Sequence, residues 1–135
     1  MISHAQKVES YFGYWPLFCD AKITTVAFCQ PGTITLVIAY LDANKHRGAD
    51  VSLKFSGVTE VALSDLRSEN VIDALRIPEG LPALVTLEAC YGLDGSFRCA
   101  TVEVTSVTPN RWANTEPQPH EAASPRLSRP GCLGR

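Results

Sequence analysis

Histidines, cysteines and carboxylates build most small active sites, and in this sequence they are scattered. His4 stands near the start, His46 in a polar run and His120 in a proline-rich stretch. None shares a metal-ligand spacing with a cysteine. The five cysteines (Cys19, Cys29, Cys90, Cys99 and Cys132) contain no C-x-x-C pair. Cys90 and Cys99 flank a predicted hairpin and would face each other across it. Two small buried side chains are the better reading of that pair than a metal or redox site, because free cysteine is so often buried. Asp20 reads as a cap on turn amides before any binding role. A Cys19-His46-Asp20 nucleophilic arrangement can be drawn, but residue type alone supports it and it is rejected. There is no glycine-rich phosphate loop, G-x-S-x-G elbow or H-E-x-x-H. No catalytic residue, metal or cofactor is implied.

Composition narrows the class. A chain of 135 residues is long enough for one domain with a real core. Its net charge of -2 argues against the basic stripe of a nucleic-acid surface and against a polybasic membrane patch. No apolar run approaches the ~20 residues of a membrane-spanning helix. The first residues have no apolar stretch or cleavage pattern marking export. Five cysteines, odd in number, then read as buried thiols of a reducing compartment, and a cytoplasmic location is expected.

The elements that would position any site are mainly strands. Residues 2–12 suggest a short amphipathic helix, with Ser3 as N-cap, Gln6 three residues on, and Ile2, Ala5, Val8 and Phe12 at helical spacing. From Lys22 the period becomes two. Strands are predicted at 22–29 and 33–41, joined by Gln30-Pro31-Gly32 in the order of a type II turn. A polar connection, 42–50, leads to the alternating Val51, Leu53 and Phe55, and Gly57 marks a bulge or turn. Val61 and Leu63 extend the sheet, and 64–69 reads as a polar or helical turn. An irregular strand at 71–77 and a regular one from Ala83 to Tyr91 follow. Gly92 to Gly95 is a hairpin turn, and Phe97 to Val107 a closing strand. The fold class is mainly β: a curved antiparallel meander or sandwich of six or more strands with a short N-terminal helix. The domain is read as residues 1–109. Residues 110–135, with Pro117, Pro119, Pro125 and Pro130, read as a disordered tail that buries too little to offset its ordering entropy.

One stretch stands apart: Tyr11-Phe12-Gly13-Tyr14-Trp15-Pro16-Leu17-Phe18-Cys19-Asp20-Ala21. It holds nearly half of the chain's aromatic residues, so it reads as a packed corner rather than a loose loop. Gly13 and Pro16 bend its backbone. The segment resembles the signature F-G-x-W-P-S-F-H-D-A of the immunity protein 50 family, bacterial proteins that neutralise polymorphic toxins. Phe12, Gly13, Trp15, Pro16, Phe18, Asp20 and Ala21 match, while Leu17 replaces serine and Cys19 replaces histidine. Phe55-Ser56-Gly57-Val58, Glu69-Asn70-Val71-Ile72 with Leu75 and Ile77, and Tyr91-Gly92 with Phe97 and Cys99 extend the resemblance over about residues 8–109.

The resemblance implies a non-enzymatic inhibitor that binds a cognate protein toxin and blocks it sterically, as a monomer or weak dimer. Immunity families vary their contact surfaces to follow their toxins, so the shared motif is expected to be scaffold. The charged loops are the better interface, in particular 42–50 or the stretch with Glu60, Asp65, Glu69 and Asp73, an acidic face suited to a basic toxin. Two other classes stay open. One is a small-molecule-binding β-domain with an aromatic-lined pocket, which requires an enclosed cavity. The other is a hydrolase, which requires a cleft with two close titratable groups.

Overall fold

The computed structural model describes residues 2–80 and 82–110, and the proline-rich tail, with His120 and Cys132, lies outside the described residues. The chain runs β1 (Ile2–Ser3), α1 (Gln6–Phe12), β2 (Lys22–Cys29), β3 (Thr33–Asp42), β4 (Arg47–Ser56), β5 (Thr59–Ser64), β6 (Val71–Arg76), β7 (Ala83–Tyr91), β8 (Asp94–Cys99) and β9 (Thr101–Pro109). All nine strands belong to one mixed sheet of order β1-β9-β4-β3-β2-β6-β7-β8-β5. The fold is mainly β, as the alternating apolar pattern requires. Within it β2-β3-β4 and β6-β7-β8 form two antiparallel meanders, and β1 adds a parallel pair with β9.

The sheet folds into two layers because its longest ribbon turns a corner. The β4/β9 ladder ends at Ser56↔Thr101, and the β5/β8 ladder resumes at Thr59↔Arg98. Gly57 and Ala100 stand at the bend, with the Ala100 N–H donating to Ser56 O at 2.8 Å. Gly57 takes φ +65°, and a Cβ there would lie 2.7 Å from that of Ala100. Only glycine fits such a close, left-handed crossing. The strand expected from Phe97 to Val107 is therefore two, β8 and β9, each in a different layer. Strands that switch layers at a bend are a known way to build a two-layer core. Phe55 of one layer meets Phe97 of the other edge-to-face at 5.0 Å. Around them Ile34, Leu36, Val51, Leu53, Val85 and Val102 are fully or almost fully buried.

The aromatic corner closes the opposite side. Helix α1 buries Val8 and Phe12 and ends at Gly13, where φ is +90° and the N–H donates to Glu9 O at 2.7 Å. Ser3 does not cap the helix. Ile2 and Ser3 pair in parallel with Val102 and Glu103, the chain reverses at His4 (φ +63°), and Ala5 occupies the cap position without a side-chain bond. Phe18 is fully buried with φ +60°, an unfavourable backbone for a bulky residue. Its ring is held edge-to-face by Trp15 at 5.9 Å and Tyr40 at 5.5 Å. Beyond it the backbone joins the second layer. Ile72 N donates to Ala21 O, Asp20 N to Ile72 O, Ile23 N to Asn70 O and Leu75 N to Leu17 O, all within 2.8–2.9 Å.

Several local expectations change. The β2–β3 connection contains a cis Gln30–Pro31 bond, and Gly32 lacks the positive φ of a type II turn. The polar run 42–50 is mostly strand, and only residues 43–46 connect β3 to β4, because the ladder continues to Asp42↔Arg47. The β7–β8 turn shrinks to Gly92 and Leu93. No helical turn forms at 64–69.

Phe18→Ala is expected to cost about 3–5 kcal/mol in urea unfolding, as large-to-small changes in a packed core do. Trp15→Ala is expected to cost less, because Trp15 is only partly buried. The reverse order would place the keystone at the indole.

Candidate partner interface

Two polar clusters are built on this frame. The first locks helix α1 to the β3–β4 hairpin. Asp42, at the end of β3, is buried at 7% exposure. Its Oδ2 accepts from the Tyr14 hydroxyl at 2.9 Å and its Oδ1 from the Lys45 backbone N–H at 3.2 Å. The Tyr14 and Tyr40 hydroxyls are 2.7 Å apart, so with the Tyr14 proton on Asp42, Tyr40 donates. Lys45 Nζ donates to Phe12 O at 2.7 Å and stands 5.3 Å from the Tyr14 ring centre. Arg47 Nη1 donates to Tyr11 O at 2.7 Å. The hairpin thus supplies the two cations that the last turn of α1 lacks. Burial, then the bonds to Tyr40 and Asp42, push the Tyr14 phenol far above its ordinary range. A phenol held protonated against a carboxylate keeps its proton, so this cluster is a lock.

The second cluster lies at one end of the second layer, where loop 65–70 meets the β7–β8 hairpin. Asn70, the residue before β6, is buried at 6% and organises both. Its Oδ1 accepts from Leu93 N at 2.8 Å and Arg67 N at 3.1 Å, and its Nδ2 donates to Arg67 O at 2.9 Å. One amide side chain therefore fixes the loop on the turn. The fixed loop presents Leu66, 63% exposed, and sets the Arg67 guanidinium 5.5 Å from the centre of the Tyr91 ring, itself 51% exposed. Val61 on the adjoining β5 is also exposed. An exposed tyrosine stacked by an arginine matches the residue types enriched at interface centres.

The four acids proposed from the sequence do not form one acidic patch: Asp65, Glu69 and Asp73 lie near this face, but Glu60 is at the far end of β5, beside Arg98. Asp65 and Glu69 share the loop, while Glu60 lies on β5 and Asp73, half-buried, on β6. Glu69 pairs with Lys22 at 3.1 Å and Glu60 with Arg98 at 3.5 Å, which neutralises half of the set. Leu66 and Arg67 escaped sequence reasoning because the run around them is polar and aperiodic. Tyr91 was visible only as part of the family resemblance.

The motif residues sit as scaffold would. Phe12, Pro16, Phe18 and Ala21 are buried and Trp15 is half-buried, whereas Gly13 and Asp20 are exposed at left-handed turns. The Asp20 backbone N–H is tied to Ile72. Cys90 and Cys99 do not face each other. Cys99 pairs with Ala83 at one end of β7, and Cys90 is at the other. Among the described residues the buried-thiol expectation holds only for Cys99, whose pKa burial raises. Cys29 is exposed, Cys90 is half-buried, and Cys19 is not among the free thiols. His46 is exposed in the 43–46 turn. Among the described residues no three or more His, Cys, Asp or Glu gather to hold a metal ion, and no helix is long and apolar enough to cross a membrane. An open cleft of about 420 Å³ between α1 and β9, lined by Lys7, Tyr11, Thr105, Ser106 and Val107, is not the enclosed aromatic pocket that the small-molecule alternative requires.

Comparison with protein-family models, curated proteins and solved structures finds no match for this chain. The resemblance to the immunity protein 50 family therefore stands on the motif residues alone.

The Tyr14–Asp42 lock has a pH signature. Unfolded, the phenol ionises near pH 10. Folded, it stays protonated, so the folded chain binds more protons above that pH. The stability it contributes is complete below about pH 10 and declines above it. Burial of Cys99 acts in the same direction from about pH 9. Tyr14→Phe is expected to cost about 1–3 kcal/mol at neutral pH, since Asp42 loses a buried donor. In urea unfolding the gap from the unmodified protein is expected to narrow toward about pH 11. Parallel profiles at all pH values would mean that Tyr14 titrates alike in both states.

Proposed function

We propose that this protein is a non-enzymatic immunity protein that binds a cognate bacterial toxin and blocks it sterically. The observation that carries the proposal is the surface of Leu66, Arg67 and Tyr91. These exposed apolar, aromatic and cationic groups stand on a loop and turn whose backbone Asn70 ties together through Arg67 and Leu93, and they are not among the buried core residues. A binding surface gains from such preorganisation, because little loop entropy is lost on association. The resemblance in residues 11–21 supplies the toxin as the partner class. It fits a division of labour in which the motif is packed inside and the contact face lies elsewhere.

In this reading the toxin meets the loop 65–69 and Tyr91 at the centre, with Asp65, Glu69 and Asp73 at the rim. Because Lys22 offsets Glu69, steering by charge is a minor contribution and shape and apolar contact dominate. The site of action is the cytoplasm of the producing cell, where a toxin would otherwise act on its own maker. The protein binds no cofactor and performs no reaction.

Co-expression with the product of a neighbouring gene tests the proposal. The neighbour is expected to be toxic alone and harmless beside this protein, and the two purified chains to form a complex. Arg67→Ala and Tyr91→Ala are each expected to weaken that complex at least about tenfold, roughly 1.4 kcal/mol, while leaving thermal unfolding unchanged. No rescue and no complex would reject the toxin reading. A complex insensitive to both substitutions would move the interface elsewhere.

A further inference from the structure

Strand β2 is paired along its whole length on one side only. Its ladder with β3 runs from Lys22 to Cys29, whereas pairing with β6 is confined to Lys22↔Val71. The sheet splits at Thr24, where the register shifts and the Thr24 hydroxyl donates to Val37 O at 3.2 Å. Among the described residues no strand lies beside Thr25-Val26-Ala27-Phe28-Cys29, and the segment ends at the Gln30-Pro31-Gly32 turn. An unpaired strand edge is a template for another strand, and proteins usually guard it with charge, proline or a bulge. The two end strands of the sheet follow that rule. β1 has only two residues, and β5 carries Glu60 at a left-handed register shift. Residues 25–29 contain no charge and no proline.

We propose that this edge pairs with the same edge of a second copy of the chain, antiparallel about a twofold axis at Ala27. The free segment is bounded by the Thr24 shift on one side and by Pro31 on the other, and Ala27 is its midpoint. An axis there uses the whole edge, whereas moving it one residue either way runs the pairing into the Thr24 shift or toward the proline turn. The register sets Val26 opposite Phe28 of the second copy, and Thr25 opposite Cys29. Val26 is 36% and Phe28 55% exposed, yet each lies on the face of its β3 partner, Leu36 and Ile34, which are buried. Pairing therefore continues the core face across the axis, with aromatic and β-branched side chains opposed, a favourable cross-strand combination. No like charges meet. The chain's own residues 111–135, with Pro117, Pro119, Pro125 and Pro130, are poor strand formers and make a weak competitor for the edge. So short an interface is weak, with a dimer expected at concentrations on the order of 100 µM. It lies on a different strand from the proposed toxin-binding face and does not depend on that reading.

Sedimentation velocity of the full chain across that range is expected to show a monomer–dimer equilibrium. Phe28→Lys is expected to weaken it at least tenfold, while Leu84→Lys, at an exposed position on β7, leaves it unchanged. Ala27→Cys in a Cys29→Ser background places two thiols at the axis. Mild oxidation is expected to yield covalent dimer well beyond that of Cys29→Ser alone. A chain that stays monomeric throughout the range, or a dimer that neither responds to Phe28→Lys nor cross-links through position 27, would overturn the proposal.

Discussion

The structure depends on a short backbone pairing between residues 17–23 and 70–75. Four hydrogen bonds there join the corner after α1 to β6, and with them one layer of the sheet to the other. Elsewhere the backbone joins the layers at the bend of Gly57 and Ala100 and where Val58 N donates to Gly32 O at 3.0 Å, and the remaining contacts are between side chains. The pairing forces Phe18 and Asp20 into left-handed backbone, which costs energy that the burial of Phe18 between Trp15 and Tyr40 offsets. Aromatic density at residues 11–18 is thus the packing that holds a strained junction closed.

That junction also explains where a partner could bind. Once β6 is tied to residues 17–23, Asn70 just before it is fixed in the interior. Its side chain then fixes Arg67 and Leu93, and through them Leu66 and Tyr91 at the surface. Scaffold and proposed working face form one chain of contacts with opposite exposure: rings inside at one end, an arginine, a leucine and a tyrosine outside at the other. The same junction leaves the far half of β2 paired with β3 alone among the described residues, since β6 follows it no further than Lys22.

Much of this was legible beforehand. Alternation in residues 33–41 and from Val51 to Phe55 marks β3 and the second half of β4 with their buried residues, because period two with one apolar face admits little else, whereas the polar start of β4, residues 47–50, carries no such signal. The strand over residues 83–91 was read to its exact bounds. What was hidden depends on long-range geometry. Ile2 falls at helical spacing with Ala5, Val8 and Phe12, and Ser3 reads as the N-cap, but pairing of the two with Val102 and Glu103 overrides both signals. Ala100 carries no local signal of a corner, which exists only because Gly57 stands opposite it. Asn70 looked like one more polar residue before a strand. Its three bonds need Arg67 and Leu93 brought together by the fold. Of the four acids chosen from sequence, the two loop residues, Asp65 and Glu69, flank the exposed cluster directly. The cations that offset Glu60 and Glu69 come from β8 and β2, out of reach of local reading.

Native-state hydrogen exchange at Asp20, Ile72 and Leu75 tests the junction most directly. Their amides are expected to exchange only through global unfolding, with protection equal to the stability measured by denaturation and to that of Val51 and Leu53 inside β4. Exchange through a local opening, markedly faster than at Val51 and Leu53, would mean that the layers are held together without this pairing and would contradict the account.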